Sequence, residues 1–289
     1  MSTEYPVQTR RILPSIPSNA EREEKARQRM ELNNQFKAYL EGLPSLTYPD
    51  YYQVNVVSDV NETNERIHAL LEANKQDTSF GVDLEWPPQF VKGKPENKIT
   101  LVQICSANEI LLIQLARMHI HIAFPIELRR FFEEKTVLKS GVNINADGLK
   151  LMRDFGFFTN GLVELKEMSE GYVNWSHNLR SLRALTGIFL GQNMSKGKVR
   201  MSNWAKAKLT DKQIQYAALD AYASYQIFAK LRHLRGSKPF AVKHMVAEKK
   251  FANELKSHIS IEETFQQKKK GHGLPFSTTT LIRPKSPIK

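Results

Sequence analysis

Two acidic residues, Asp83 and Glu85, lie two positions apart in the otherwise apolar segment Phe80–Trp86. Alternate residues of a β-strand point to the same face, so a strand here would hold both carboxylates side by side and the apolar side chains opposite. Like charges at this separation repel one another unless a cation neutralises them. The pair therefore predicts either a solvated sheet face or a site for divalent cations with oxygen ligands.

Two further carboxylates lie in segments with helical patterns. Asp147 follows a predicted strand at the start of a predicted helix, where an aspartate by itself fits an N-cap. Asp220 comes four residues after Tyr216 in an alanine-rich segment. This spacing places both side chains on one helical face, and the small neighbouring residues allow close packing against another element. Taken singly, each position also fits a solvated or capping role.

The elements that must position these residues follow from apolar periodicity and from terminating residues. Strands are predicted at 52–57, 80–86, 99–104, 110–113, 137–142 and 163–165. Helices are predicted at 20–41, from Asp59 onward, at 125–135, 147–155 and 179–190, and from a capping box at Thr210–Gln213 to about 234. A short turn between the strands at 99–104 and 110–113 predicts an antiparallel pair. The order indicates an α/β fold with a mixed sheet.

Taken together, these segments resemble the 3′–5′ exonuclease domain of the DEDDy family, which includes ribonuclease D, the proofreading exonucleases and the Werner-syndrome protein. The matching segments are Val82–Pro88, Gly141–Asp147 with Lys150–Phe155, and Leu209–Asp220. Similarity to the Werner type in particular comes from Trp86–Pro88, Leu101–Cys105 and Arg200–Trp204. The resemblance covers roughly residues 50–235 and implies an α/β fold with a ribonuclease-H-like mixed β-sheet flanked by helices.

This resemblance implies a metal-dependent exonuclease that hydrolyses phosphodiester bonds from a 3′ end and releases nucleoside 5′-monophosphates. It assigns catalysis to Asp83, Glu85, Asp147, Tyr216 and Asp220. The four carboxylates would hold two divalent cations, Mg²⁺ or Mn²⁺. Asp83 would bridge both ions, Glu85 and Asp220 would complete the ion beside the attacking water, and Asp147 would hold the second ion through water. The ordinary phenol pKa, about 10, favours a role for Tyr216 in orienting that water.

Nucleic-acid contacts are predicted at Trp86, Leu149, Lys150, Arg153, Lys198 and Arg200, with Lys92, Lys94 and Lys196 as further candidates for the phosphate backbone. Leu149 stands where close relatives can carry a larger aromatic side chain. Trp86, Trp175 and Trp204 could stack on bases, although core packing is the simpler role for Trp86 and Trp204. The Werner-like details favour DNA. An exoribonuclease of the ribonuclease D type and a non-catalytic nucleic-acid-binding scaffold are the alternatives.

Charge is distributed unevenly along the 289 residues, which carry a net charge of +12. Residues 236–289 contain eleven Lys and Arg against four Asp and Glu. Such a basic segment indicates a polyanionic partner or a solubilising tail. We predict a partly helical N-terminal arm over 1–48, the exonuclease domain over 49–235, and a basic tail over 236–289 that is largely disordered beyond about 265.

Composition also excludes several classes of protein. The sequence has no run of about 18 uncharged apolar residues, which argues against a transmembrane helix and a membrane partner, and its start lacks the apolar core of a secretory signal. Cys105 is the only cysteine, which excludes an internal disulfide and indicates a reducing compartment. The basic runs Lys268–Lys270 and Arg283–Lys285 favour a nuclear location, with the cytoplasm as the alternative. We expect too little chain after Gly236 for a helicase domain, so a helicase or other repair partner would act in trans.

Overall fold

The computed structural model describes residues 18–118, 124–172, 180–195 and 197–245, and the backbone of 277–282. The chain divides into two units, Met1–Gly42 and Leu43–Lys289. The first unit contains helix α1 (Asn19–Glu41), which begins at a capping box formed by Ser18 and Glu21. The helix predicted over 20–41 is therefore confirmed.

The second unit contains a β-sheet and the remaining helices. Its strands are β1 (Gln53–Val57), β2 (Ser79–Glu85), β3 (Leu101–Cys105), β4 (Glu109–Ile113), β5 (Leu138–Gly141), β6 (Leu162–Glu164), β7 (Phe240–Met245) and β8 (Ser277–Ile282). Its α-helices are α2 (Val60–Ala73), α3 (Ile126–Glu133), α4 (Ile144–Phe155), α5 (Leu165–Met168), α6 (Leu182–Leu190) and α7 (Asp211–Arg235). Short 3-10 turns lie at Leu115–Arg117 and Lys198–Met201.

The eight strands form one mixed sheet in the order β1-β4-β3-β2-β5-β6-β7-β8. β2, β3 and β4 form an antiparallel meander, as predicted, and β1 pairs with β4 in parallel. β2, β5 and β6 are parallel to one another, and β7 runs antiparallel to β6. This mixed sheet confirms the predicted α/β, ribonuclease-H-like fold class, and it places β2 near the middle of the sheet.

Helices cover both faces of the sheet and bury one apolar cluster on each side. Ile67 of α2 and Phe131 of α3 belong to one cluster, with Phe80 of β2. Leu185 of α6 and Ile227 of α7 belong to the other. Each fully buried side chain of this size contributes about 1.5–3 kcal/mol to folding. The two clusters therefore fix β2 between helices on both sides.

Two strands of the sheet lie beyond the predicted end of the exonuclease domain at residue 235. The sheet continues past residue 235, because β7 pairs with β6. Within the tail that is predicted to be largely disordered beyond about 265, Ser277–Ile282 forms β8 and pairs with β7 over six residues. Backbone pairing to an existing strand can order a polar segment that has no apolar periodicity of its own. The other residues beyond 245 lie outside the described part of the chain. Among the described helices, none is both long and apolar enough to cross a membrane.

Candidate active site

β2 presents its two carboxylates to the face of the sheet that α7 covers. Phe80 and Val82 pack in the cluster on the opposite face, and the alternation of the strand places Gly81, Asp83 and Glu85 towards α7. Glu85 is 8% exposed and Asp83 is half-buried. The predicted side-by-side arrangement is therefore present, but against a helix rather than on a solvated face.

Gly81 allows α7 to pack closely against β2. A Cβ atom at this position would lie 2.2 Å from the carbonyl oxygen of Ala221 and 2.3 Å from the backbone nitrogen of Tyr225. Side chains are not found at such separations, so only glycine fits. Ala221 follows Asp220 directly, and the close contact at Gly81 thereby holds Asp220 beside Asp83.

Three carboxylates meet at this contact. Asp83, Glu85 and Asp220 each offer an oxygen, and these oxygens lie within 4.8 Å of one another. Tyr216, one helical turn before Asp220, donates its hydroxyl to the Asp220 carboxylate. The structure thus brings together four of the five residues predicted to be catalytic, while their individual roles stay predictions.

Asp147 approaches the group from α4 without belonging to the tight cluster of three. It lies within the first turn of α4 rather than at the N-cap, which is Asn143 in a left-handed conformation with φ 64°. The helix therefore begins three residues before the predicted start at 147. The Glu164 carboxylate accepts the Asn143 backbone N–H at 3.0 Å and stabilises this turn. Burial, together with the charges of Asp83 and Glu164, raises the pKa of Asp147 well above its usual range.

Burial dominates the electrostatics of these carboxylates, and the charges of neighbouring carboxylates add to its effect at Glu85 and Asp220. Loss of solvation is the main cause that raises the pKa of Asp83 to about 7 and that of Glu85 to about 10. The charges of Asp83 and Asp220 raise the pKa of Glu85 further. The pKa of Asp220 is raised well above its usual range, mainly by burial and then by the charge of Asp83. Buried like charges of this kind favour binding of a cation.

The donor set fits a divalent cation. Every ligand atom that the cluster offers is a carboxylate oxygen, and hard cations such as Mg²⁺ and Mn²⁺ prefer oxygen ligands. Asp83, Glu85 and Asp220 are the residues that could hold such an ion together. Asp147, whose charge raises the pKa of Glu85, is close enough to contribute to the same electrostatic field.

Arg200 is a predicted nucleic-acid contact that does face the carboxylates. Its charge lowers the pKa values of Asp83, Glu85 and Asp220, against the dominant effect of burial. Its side chain is exposed on the 3-10 turn that also carries exposed Lys198. Arg200 is therefore open to solvent and to a substrate while it acts on the cluster.

Trp204 contacts both Arg200 and Tyr216 from the protein core. Its indole N–H donates to the Arg200 carbonyl oxygen at 3.2 Å, and its ring centroid lies 6.0 Å from that of Tyr216. Trp204 is 0% exposed, which confirms that it packs in the core.

The structure corrects the prediction that Lys150 contacts nucleic acid. Lys150 is buried, and its Nζ donates to Asp154 Oδ2 at 2.7 Å and to the Asn97 carbonyl at 2.8 Å. Asp154 in turn accepts the Ile99 N–H at 2.8 Å. The ammonium also lies 5.1 Å from the ring centroid of half-buried Trp86. Its donors are therefore used inside the protein, where Lys150 connects α4 to the segment that follows β2.

The other predicted contacts lie outside the carboxylate cluster. Leu149 is half-buried on α4, and exposed Arg153 lies 3.6 Å from Glu96 in an ion pair between solvated side chains. Lys92 and Lys94 are exposed in the loop between β2 and β3. Lys196 and Trp175 fall outside the described residues. The contacts of Leu149, Arg153, Lys92 and Lys94 do not indicate a ligand.

The sequence analysis did not identify two residues beside the site, Gln103 and Glu164. Gln103 is a polar residue in the middle of the apolar strand β3, and this interruption of the apolar pattern could have indicated a functional residue. Glu164 gave no signal, because its contact with Asn143 crosses from β6 to the start of α4.

Comparison with known proteins yields a family model described as a 3′–5′ exonuclease, which matches residues 56–234. A bifunctional 3′–5′ exonuclease/ATP-dependent helicase of Mus musculus is 36% identical over 156 residues, 53% of this chain and 11% of that protein. A 3′–5′ exonuclease of Arabidopsis thaliana is 29% identical over 182 residues, 61% of this chain and 62% of that protein. The chain therefore covers less than two thirds of either relative.

Among solved structures, the fold is similar to that of Escherichia coli ribonuclease D, an exoribonuclease involved in structured RNA processing. The TM-score is 0.50 at 17% identity, and the match covers 63% of this chain and 44% of the other. At this identity the likeness extends to the fold alone.

Proposed function

The chain belongs to the 3′–5′ exonuclease family, and from this premise we propose that it shortens DNA from the 3′ end and releases nucleoside 5′-monophosphates. The observation that carries the proposal is the convergence of Asp83, Glu85 and Asp220 within 4.8 Å, with Tyr216 bonded to Asp220. Buried carboxylates of like charge are poorly suited to a purely structural role. They suit a site that binds cations and phosphate together.

The carboxylates divide into two groups under this proposal. Asp83, Glu85 and Asp220 would hold one Mg²⁺ or Mn²⁺, and Asp83 with Asp147 would hold a second. Such a pair of ions supplies an activated water nucleophile and stabilises the charge on the leaving oxygen. The chain itself supplies the fixed positions of these oxygens, through the Gly81 contact for Asp220 and the turn at Asn143 for Asp147.

Tyr216 would orient the attacking water. Burial, followed by the charges of Asp220, Glu85 and Asp83, raises the pKa of its phenol further above the usual range. The phenol therefore keeps its proton at neutral pH and does not act as a general base. Since its hydroxyl donates to Asp220, the phenol oxygen remains free to accept a hydrogen bond from water and so to fix its direction.

Arg200 would contact the phosphate that is cut. Its guanidinium is exposed, yet it acts electrostatically on three carboxylates of the cluster. A cation in this position attracts an anionic backbone, and the planar guanidinium can donate two parallel hydrogen bonds to phosphate. The Trp204 indole holds the backbone of Arg200 in place for this contact.

We place DNA ahead of RNA because the motif details, Trp86–Pro88 and Arg200–Trp204, resemble the Werner type. Ribonuclease D, which acts on RNA, has a similar fold at lower identity, so RNA is the alternative substrate. A helicase acting in trans is the protein partner we propose, since the mouse relative combines both activities by name. The basic runs Lys268–Lys270 and Arg283–Lys285 support a nuclear location.

The test uses the purified full chain with 5′-labelled 3′-recessed duplex DNA, single-stranded DNA and single-stranded RNA of one sequence. We expect stepwise shortening from the 3′ end with Mg²⁺, none with a chelator, and the fastest reaction on DNA. The variant Asp83→Asn should abolish this shortening, and Asp211→Asn is its matched control, because Asp211 is an exposed aspartate at the start of α7. Faster shortening of RNA would reverse the substrate assignment, and intact substrates in every arm would refute the function.

A further inference from the structure

Gln103, in the middle of β3, is a buried glutamine whose amide has no hydrogen-bond partner within the described residues. Its side chain is 0% exposed, and neither Oε1 nor Nε2 is bonded. Two other buried glutamines of the described chain, Gln114 and Gln213, both donate to backbone carbonyls. Because an unpaired amide in the interior is unfavourable, Gln103 calls for a functional explanation.

The surroundings of Gln103 contain one polar strand neighbour. Leu101 and Cys105, on the same face of β3, and Leu112, opposite on β4, are all 0% exposed. On the other side, Gln103 pairs directly with Asp83 in the antiparallel register of β2 and β3. Directly opposed residues have Cβ atoms about 5 Å apart on one face. An amide at Gln103 can therefore reach the Asp83 carboxylate.

We propose that Gln103 is a positioning residue for Asp83, whose carboxylate accepts a hydrogen bond from the Gln103 amide when Asp83 holds a divalent cation. The inference rests on the proposed function of the site. An amide suits this task because it is neutral and orients the carboxylate without cancelling the charge that attracts the cation. Lysine or arginine would cancel that charge. Such partners of metal ligands fix ligand orientation and tune affinity.

The decisive variant is Gln103→Met, which keeps the length of the side chain and removes the amide. In metal-free buffer we expect its melting temperature to equal or exceed that of the wild type, because an unpaired polar group has been replaced by an apolar one. We expect the Kd for Mn²⁺, measured by calorimetry, to rise about 10-fold, and kcat on DNA to fall about 10-fold with KM within twofold.

The matched control is Gln114→Met, the same substitution at a buried glutamine that bonds the Lys206 carbonyl. This variant should lower the melting temperature with and without metal and leave the Kd for Mn²⁺ within twofold. The contrast separates loss of a structural hydrogen bond from loss of ligand positioning.

Two results would overturn the proposal. One is a wild-type Kd for Mn²⁺ in Gln103→Met. The other is a fall in melting temperature that is equal with and without metal, which would make Gln103 a core-packing residue. A wild-type protein that binds Mn²⁺ but leaves nucleic acid intact would instead refute the exonuclease function, and the Mn²⁺ comparison would still decide the role of Gln103.

Discussion

The carboxylate cluster beside α7 and the Lys150–Asp154 pair on α4 both bury charged side chains, but the charges are balanced differently. At the pair, Lys150 Nζ lies 2.7 Å from Asp154 Oδ2, and a backbone carbonyl and a backbone N–H satisfy the remaining polar groups. At the cluster, three carboxylates lie within 4.8 Å of one another. Burial raises the pKa values of all three, and the charges of neighbouring carboxylates raise those of Glu85 and Asp220 further.

This difference separates a structural from a functional use of buried charge. A buried pair whose hydrogen bonds are complete fixes two elements together, and removal of one partner leaves an uncompensated charge. Buried charges of one sign mark a site that a ligand completes, and perturbed groups of this kind concentrate at functional sites. Variants of the carboxylate cluster should therefore lose activity and keep their stability, whereas variants of the Lys150–Asp154 pair should lose stability and keep their activity.

The largest effect is expected for Asp83→Asn, which removes a carboxylate from the cluster. Cleavage should fall by on the order of 10³-fold or more, since the site loses a ligand shared by both proposed ions. The melting temperature in metal-free buffer should stay equal or rise, because repulsion is relieved. A gel assay of DNA shortening and a thermal scan measure both, and near wild-type cleavage would exclude Asp83 as a ligand.

A smaller loss is expected for Tyr216→Phe, which keeps the ring against Trp204 and removes the hydroxyl. We expect kcat to fall by about 10²-fold with little change in KM or metal affinity, because the hydroxyl orients water rather than binding substrate. Steady-state kinetics at saturating Mg²⁺ provide the measurement. An unchanged kcat would make Tyr216 a packing residue.

On the other side of the comparison, Lys150→Met should affect stability and hardly affect catalysis. Loss of the ammonium leaves the largely buried Asp154 carboxylate without its counter-charge, and we expect the free energy of unfolding to fall by about 3 kcal/mol. Denaturant titration measures this loss, and kcat/KM below the melting transition should stay within threefold. Normal stability with a large rise in KM would instead support the prediction that Lys150 contacts nucleic acid.

The last expected effect is a pH dependence of stability, which distinguishes the cluster from the pair. The pKa of Asp83 is raised from 3.8 to about 7, so the folded protein binds this proton more tightly than the unfolded chain. The resulting stability is present below pH 3.8 and is lost as the pH rises to about 7. Thermal scans in chelator should show this decline in the wild type relative to Asp83→Asn, and saturating Mg²⁺ should reduce it. Parallel curves for the two proteins would contradict the shift.

Several features of the site could be predicted from local pattern alone. The alternation of β2 placed Asp83 and Glu85 on one face, the helical spacing placed Tyr216 with Asp220, and the capping box placed the start of α7. These predictions depend only on the geometry of a single strand or helix, which is the same in any protein. The family resemblance added the roles, because it matched all three segments in order.

Contacts between distant segments were decided by the tertiary structure. The sequence placed Lys150 among surface cations, yet Asn97, Ile99 and Asp154 enclose its charge in a network that crosses from α4 to the segment before β3. The role of Gly81 depends on where α7 packs, and the unpaired amide of Gln103 depends on which strands flank β3. Local periodicity tells which face a side chain takes, whereas burial and pairing depend on what packs against that face, and only the folded chain determines this.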